Sequence, residues 1–271
     1  MGLEQLNFID GQDPLTPTIL RKPKDKIEMA IMRLQQFEPP EGYYLAFSGG
    51  KDSVVLLDLA KKAGVKSDAH YNLTTIDPPE VVQFIKTFRE VKIERPEHTM
   101  CELIVKKGLP RRQGRWCCEE LKERGGSGRV VLTGIRWLEA KGRTRRAHRG
   151  MVETCYRDRS KRFVHPIIDW TTDEVWQYIK DNHIRYCSLY DEGFERLGCI
   201  LCPMVRNVAS QIKRWPKITE ALRRATYRYW ERQTPGGQKF ETAEDLWQWW
   251  LKRDQSRIAF QQEKMMFDSD D

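Results

Sequence analysis

The sequence predicts an α/β fold: a parallel sheet with helices on both faces, followed by a C-terminal helical subdomain. Three observations predict it. Apolar runs at Tyr43–Phe47, Ala69–Ile76 and Val130–Ile135 read as buried strands, helical spacing recurs between them, and after Pro203 the pattern is mostly helical. Strands covered on both faces read as near-continuous apolar runs, and strand–helix alternation is what parallel crossovers require.

The elements follow in order. Residues 1–40 form an N-terminal extension with one helix, Asp25–Phe37, stopped by Pro39-Pro40. After the first strand, Ser48-Gly49-Gly50 makes a tight turn into a helix, Lys51–Ala63, closed by Gly64. Ala69–Ile76 is the second strand, and Pro79–Val91 has helical spacing through Val81, Val82, Phe84, Ile85 and Phe88. Val130–Ile135 is the third strand. Thr171 and Glu174 form a capping box that opens a helix to about Asp181. Val208–Gln233 is helical with a break near Pro216, Thr242–Gln262 is helical, and Thr234-Pro235-Gly236-Gly237 lies between them. The α/β domain therefore spans 41–205 and the helical tail 206–271.

At 271 residues, 39% hydrophobic and 10% aromatic, the chain is long and apolar enough for one good core. Its net charge is +8, yet Arg111–Arg162 carries 16 cations against 6 acids, a net +10. One segment thus holds the whole excess, which points to a local anion-binding surface. No apolar run nears the roughly 18 residues that span a bilayer. The first residues lack the pattern of a secretory signal. Seven cysteines, an odd number, then argue for a reducing cytoplasm rather than a disulfide framework.

Two constellations carry chemistry. Ser48-Gly49-Gly50-Lys51-Asp52-Ser53 sits between a strand and a helix. There, glycines let the backbone approach phosphate oxygens, the helix start aims N–H groups at an anion, two hydroxyls donate and Lys51 adds charge. It is not the Gly-x-x-x-x-Gly-Lys-Ser/Thr loop. Separately, Cys117-Cys118 is followed, after 80 intervening residues, by Cys199-x-x-Cys202. Two thiolate pairs suit one metal centre, and the adjacent pair is unlike the two-to-four residue gap of zinc sites. The alternative is four reduced core cysteines. Cys101, Cys155 and Cys187 are isolated.

The loop resembles the PP-loop of N-type ATP pyrophosphatases. With the cysteine spacing, Thr133-Gly134-Ile135-Arg136, Pro166–Trp176 and Leu189–Phe194, residues 40–205 resemble the phosphoadenylyl-sulfate (PAPS) reductase superfamily. That resemblance implies a Rossmann-like, adenine nucleotide alpha-hydrolase-like fold and a [4Fe-4S] cluster on Cys117, Cys118, Cys199 and Cys202. Sulfonucleotide reductases carry a catalytic cysteine near the C-terminus, whereas no cysteine follows Cys202 here. In layout the chain is similar to the DndC/SspD-like group of DNA phosphorothioation proteins. This implies an ATP pyrophosphatase that activates a nucleic-acid backbone phosphate for sulfur incorporation. The implied cofactors are ATP and Mg²⁺ besides the cluster. The implied partners are nucleic acid, DNA favoured, and a sulfur donor such as a cysteine desulfurase, with homo-oligomerisation left open. An APS/PAPS reductase and a non-catalytic nucleic-acid-binding partner are the competing readings.

In this scheme Ser48, Lys51 and Asp52 are catalytic, and Ser48–Ser53, Asp77, Gly134, Arg136 and Arg143 hold the nucleotide. Asp52 either helps hold Mg²⁺ or caps its helix. Asp77 either contacts ribose or metal or is a turn residue before Pro78-Pro79. Arg143, Arg145, Arg146 and Arg149 bind pyrophosphate or nucleic acid, or form a solvated face. Trp116 and Trp137 are read as core, with base stacking the alternative, and His148 and His165 as structural.

Overall fold

The computed structural model describes residues 25–139, 150–155, 158–205, 207–233 and 239–252. Helix α1 (Lys26–Gln36) starts where the Asp25 carboxylate accepts the Glu28 N–H at 2.8 Å. Strand β1 (Tyr43–Ala46) leads through the glycine turn into α2 (Lys51–Ala63), which ends on Gly64 in the left-handed conformation at φ 70°. Nine of the thirteen α2 residues are buried, among them Val54, Val55, Leu56, Leu57 and Leu59. A helix apolar around most of its circumference belongs inside the molecule, and α2 packs against α1.

Strand β2 (Ser67–Asn72) stops four residues short of its predicted end. There Thr74 N–H donates to the Asp77 carboxylate at 2.7 Å and Thr75 takes φ 66°, so the chain turns instead of extending. Helix α3 (Pro79–Ile85) is likewise shorter than its periodicity predicts. Val91–Glu94 leaves as β3, paired with Ala69–Asn72; cross-strand pairing overrides the helical spacing of Phe88 and Val91. Helix α4 (Met100–Lys107) opens on a Thr99–Glu102 capping box. Strands β4 (Val130–Leu132), β5 (Val152–Thr154) and β6 (Arg162–Val164) are short. The Thr171–Glu174 capping box opens α5 (Thr172–Asp181). In the tail, Pro216 separates α6 (Val208–Arg214) from α7 (Pro216–Glu231), and α8 is Ala243–Lys252. The predicted helix beyond Lys252 falls outside the described residues. Helix α7 packs on α4, and the Trp250 indole donates to Pro110 O at 2.8 Å. These contacts seat the tail on the α/β domain. Among the described residues no helix is long and apolar enough to cross a membrane.

The described strands form one sheet in the order β3-β2-β1-β4-β6-β5, parallel except for β5, which runs antiparallel to β6. From β1 the chain builds outward through β2 and β3, then returns to place β4 on the other side of β1. The order reverses between β1 and β4. In open α/β sheets a crevice opens there, beyond the carboxyl ends of the strands.

A polar cluster ties this sheet to the segment before β4. Arg129 holds Asp68 with both terminal nitrogens, at 2.6 and 3.2 Å, while the His70 ring contacts Asp68 and reaches Glu94 at 2.9 Å. Burial opposes ionisation of Asp68, but the Arg129 and His70 bonds outweigh it and hold its pKa down to about 2. A lowered folded-state pKa contributes stability above the ordinary value of 3.8 that is lost as pH falls through about 2. Arg129→Met is therefore expected to lower stability at neutral pH by a margin that narrows from pH 4 toward pH 2. Denaturant unfolding across that range measures it; a margin independent of pH would contradict the ion-pair origin.

Candidate functional site

The crevice at the β1–β4 switch point is a cleft lined by Ala46, Ser48, Gly50–Ser53, Thr133–Ile135, Tyr190, Arg196 and Leu197. Its floor is the Ser48–Ser53 turn. The Ser53 hydroxyl donates to Gly50 O at 2.8 Å and accepts the Ser48 N–H at 3.2 Å, while the Ser48 hydroxyl accepts the Gly50 N–H at 3.3 Å. Gly49 has φ 71°, and a Cβ there would meet the Ile85 side chain at 2.9 Å, so glycine is required on both counts.

Opposite the turn, Gly134 lets the end of β4 approach α2: a Cβ there would lie 2.9 Å from Asp52 Cβ and 3.0 Å from its carbonyl carbon. That approach makes the central ion pair possible. Arg136, 1% exposed, donates from Nε to Asp52 Oδ1 at 2.7 Å and from Nη1 to Trp170 O at 3.2 Å and Thr172 Oγ1 at 3.3 Å. The other Asp52 oxygen takes Lys51 Nζ at 3.3 Å. Both carboxylate oxygens thus carry cations. Asp52 lines the cleft, and Arg136 stands behind the cleft wall, where it holds Asp52, rather than lining the cleft as expected.

Of its two readings, Asp77 takes the turn role here, and it is not among the cleft-lining residues. Its carboxylate closes the turn at Thr74 and lies beside Tyr71, whose hydroxyl is pushed up by burial and then by the Asp77 charge. His165 fits its structural reading: it is fully buried, with Nδ1 2.6 Å from the Thr133 hydroxyl. Trp116 is half-buried and packs against the core, whereas Trp137 is exposed. Arg143, Arg145, Arg146, His148 and Arg149 lie outside the described residues.

Sequence reasoning missed Arg196, Leu197 and Tyr190 among the cleft residues, and of these Tyr190 bonds to the turn. Its hydroxyl accepts the Lys51 N–H at 2.9 Å, Lys51 Nζ lies 5.8 Å from the ring centroid, and Trp176 packs edge-on at 5.0 Å. The signal was present in Leu189-Tyr190-Asp191, but nothing local links it to Lys51, 139 residues away.

The two cysteine pairs come together beside this cleft. Cys117 precedes a single π-helical turn, Cys118–Lys122, and Cys199–Cys202 closes a turn through Cys202 N–H to Cys199 O at 3.2 Å. Ile200 N–H to Ile76 O at 2.8 Å pins the second loop to the Thr74–Asp77 turn, and Arg112 Nε to Pro203 O at 3.2 Å pins it to the first. Thr75 and Leu201, on the two pinned loops, both hold positive φ, a costly conformation for residues with side chains. The thiols sense one another. The interaction between Cys117 and Cys118 raises the first thiol and lowers the second, with burial opposing the drop and Arg115 and Lys122 aiding it. Charge on Cys199 and Cys202 also raises Cys117, and negative charge on Cys199 pushes Lys122 up. Among the described residues no three such ligands close around a single metal ion.

Comparison with known proteins places residues 42–205 in the phosphoadenosine phosphosulfate reductase domain family. Two uncharacterized proteins of Methanocaldococcus jannaschii are 30% and 31% identical over 69% and 77% of the chain. The chain spans about half the length of each, 50% and 46%. An adenosine 5'-phosphosulfate reductase of Staphylococcus epidermidis is 28% identical over 79% of the chain and 93% of that protein. Among solved structures, a phosphoadenylyl-sulfate reductase from Candida auris superposes with a TM-score of 0.49 at 19% identity, covering 65% of this chain and 88% of that one.

Proposed function

The chain belongs to the phosphoadenosine phosphosulfate reductase domain family, and on that premise we propose that it splits ATP between the α and β phosphates and passes AMP to an acceptor. The acceptor we favour is a nucleic-acid backbone phosphate destined to receive sulfur. The observation that supports this reading is the Ser48–Ser53 turn facing Thr133–Ile135 across the switch-point cleft, with Lys51 buried at the start of α2.

In this scheme the turn and Lys51 hold the β and γ phosphates, and Thr133–Ile135 flanks the α phosphate. A nonbridging acceptor oxygen forms a bond to the α phosphorus, the α–β bridging bond breaks, and pyrophosphate leaves with the electron pair. Hydrosulfide then bonds to the acceptor phosphorus and AMP leaves. Lys51 neutralises the charge that builds on the leaving group, and the Asp52–Arg136 pair fixes where Lys51 sits. The convergence of Cys117, Cys118, Cys199 and Cys202 supports their holding a [4Fe-4S] cluster. When bound, it would cross-link the two cysteine loops beside the cleft.

Incubation with ATP is expected to yield AMP and pyrophosphate, more with DNA present, and Ser48→Ala is expected to lower the yield. ADP and orthophosphate would overturn the reading. A sulfonucleotide reductase is the second reading, favoured by the extended match to the Staphylococcus epidermidis reductase. Against it, no cysteine is among the cleft-lining residues, and burial pushes up the Cys101 and Cys187 thiols. Sulfite release from adenylyl sulfate with thioredoxin would put it first.

A further inference from the structure

Helix α7 carries a row of cations outside the cleft, two of which, Arg224 and Arg228, lie near Cys101 of α4. Lys217, Arg224, Arg228 and Arg232 are all exposed. At 100° per residue, 3.6 to a turn, they fall within an arc of about 80° on one side of the helix. The opposite side, Thr219, Leu222 and Thr226, is buried. Among the described residues none of the four cations has an ion-pair or hydrogen-bond partner.

Their neighbour Arg223 behaves differently. It is bound to Glu244 at 3.1 Å and to the Tyr227 hydroxyl at 2.9 Å, and lies 3.6 Å from Glu220. Glu220 and Glu231 are the carboxylates flanking the row on the helix itself, and Arg223 engages Glu220.

Helix stability does not account for the row. Cations favour the last turn, where Arg228 and Arg232 lie, but Lys217 sits in the first turn, where the helix dipole repels it. An apolar surface does not account for it either: the side carrying the row exposes no large hydrophobic residue, whereas a membrane-seeking helix needs an apolar face beside its cations. Along the axis, Arg224, Arg228 and Arg232 follow one another at about 6 Å, and Lys217 precedes Arg224 by about 10 Å. A nucleic-acid backbone carries one negative charge per nucleotide, which long, adjustable side chains in a row can reach. Guanidinium groups also bind phosphate with paired hydrogen bonds.

We propose that this side of α7 is a docking surface for the phosphodiester backbone of nucleic acid. The surface contributes position rather than sequence choice, since phosphate contacts carry no base information. The inference does not depend on what the cleft does to a nucleotide.

The test is binding of the full chain to a labelled 20-base-pair DNA duplex, and to a single strand of the same sequence, between 50 and 200 mM salt. The variants are K217Q/R224Q/R228Q/R232Q and, as a control, R223Q. For the duplex, the quadruple variant is expected to reduce the slope of log affinity against log salt by about 0.9 for each cation removed. R223Q is expected to leave the slope within error of the unsubstituted chain, and AMP formation from ATP alone is expected to be the same in all three proteins. The proposal is overturned if the quadruple variant keeps the full slope, or if R223Q reduces it as much per charge. It is equally overturned if the unsubstituted chain binds anionic phosphatidylserine vesicles but neither nucleic acid.

Discussion

Arg136→Ala is expected to destabilise the protein by about 3–5 kcal/mol, because it leaves the Asp52 carboxylate half-satisfied in a mostly buried site. The Arg136 side chain is 2% exposed and that of Asp52 16%, so water cannot replace the lost partner freely. The same guanidinium holds Trp170 O and the Thr172 hydroxyl at the start of α5, so its removal also loosens the joint between β4, α2 and α5. Urea unfolding measures the loss. A double substitution, Asp52→Asn with Arg136→Met, is expected to cost less than the sum of the two single changes, since it removes both charges together. Strict additivity would show that the pair is not coupled and that the orientation of Asp52 has another source.

Lys51→Met is expected to lower AMP formation by about 10²–10³-fold, the size of effect seen when one preorganised charge-stabilising group is removed. Methionine keeps the apolar stem that lies 5% exposed between the turn and the Tyr190 ring, so the fold is expected to persist. The loss should fall on kcat rather than on KM if Lys51 meets the charge that develops on departing pyrophosphate. A variant within a few-fold of the unsubstituted enzyme would remove Lys51 from the mechanism while leaving the cleft intact.

Much of the fold could be read from local pattern. The Lys51–Ala63 helix with its Gly64 stop, the Thr171–Glu174 capping box and the break at Pro216 all match the structure, because each is decided by residues within one or two turns. The elements that could not be read are those made by distant partners. Val91–Glu94 is a strand because Ala69–Asn72 pairs with it, and the short strands β5 and β6 exist through their mutual pairing and β4. Three residues of backbone carry too little periodicity to announce themselves.

The candidate site divides along the same line. By itself the sequence determined the glycine turn between β1 and α2, since a Gly-Gly pair between an apolar run and a helical pattern is a local signal. Tertiary structure alone decided what surrounds that turn. It placed Arg136 behind Asp52 instead of in the cleft and brought Tyr190 onto the Lys51 amide. Each of these pairings joins groups set by the sheet order, and that order is fixed by which apolar faces bury one another rather than by any motif.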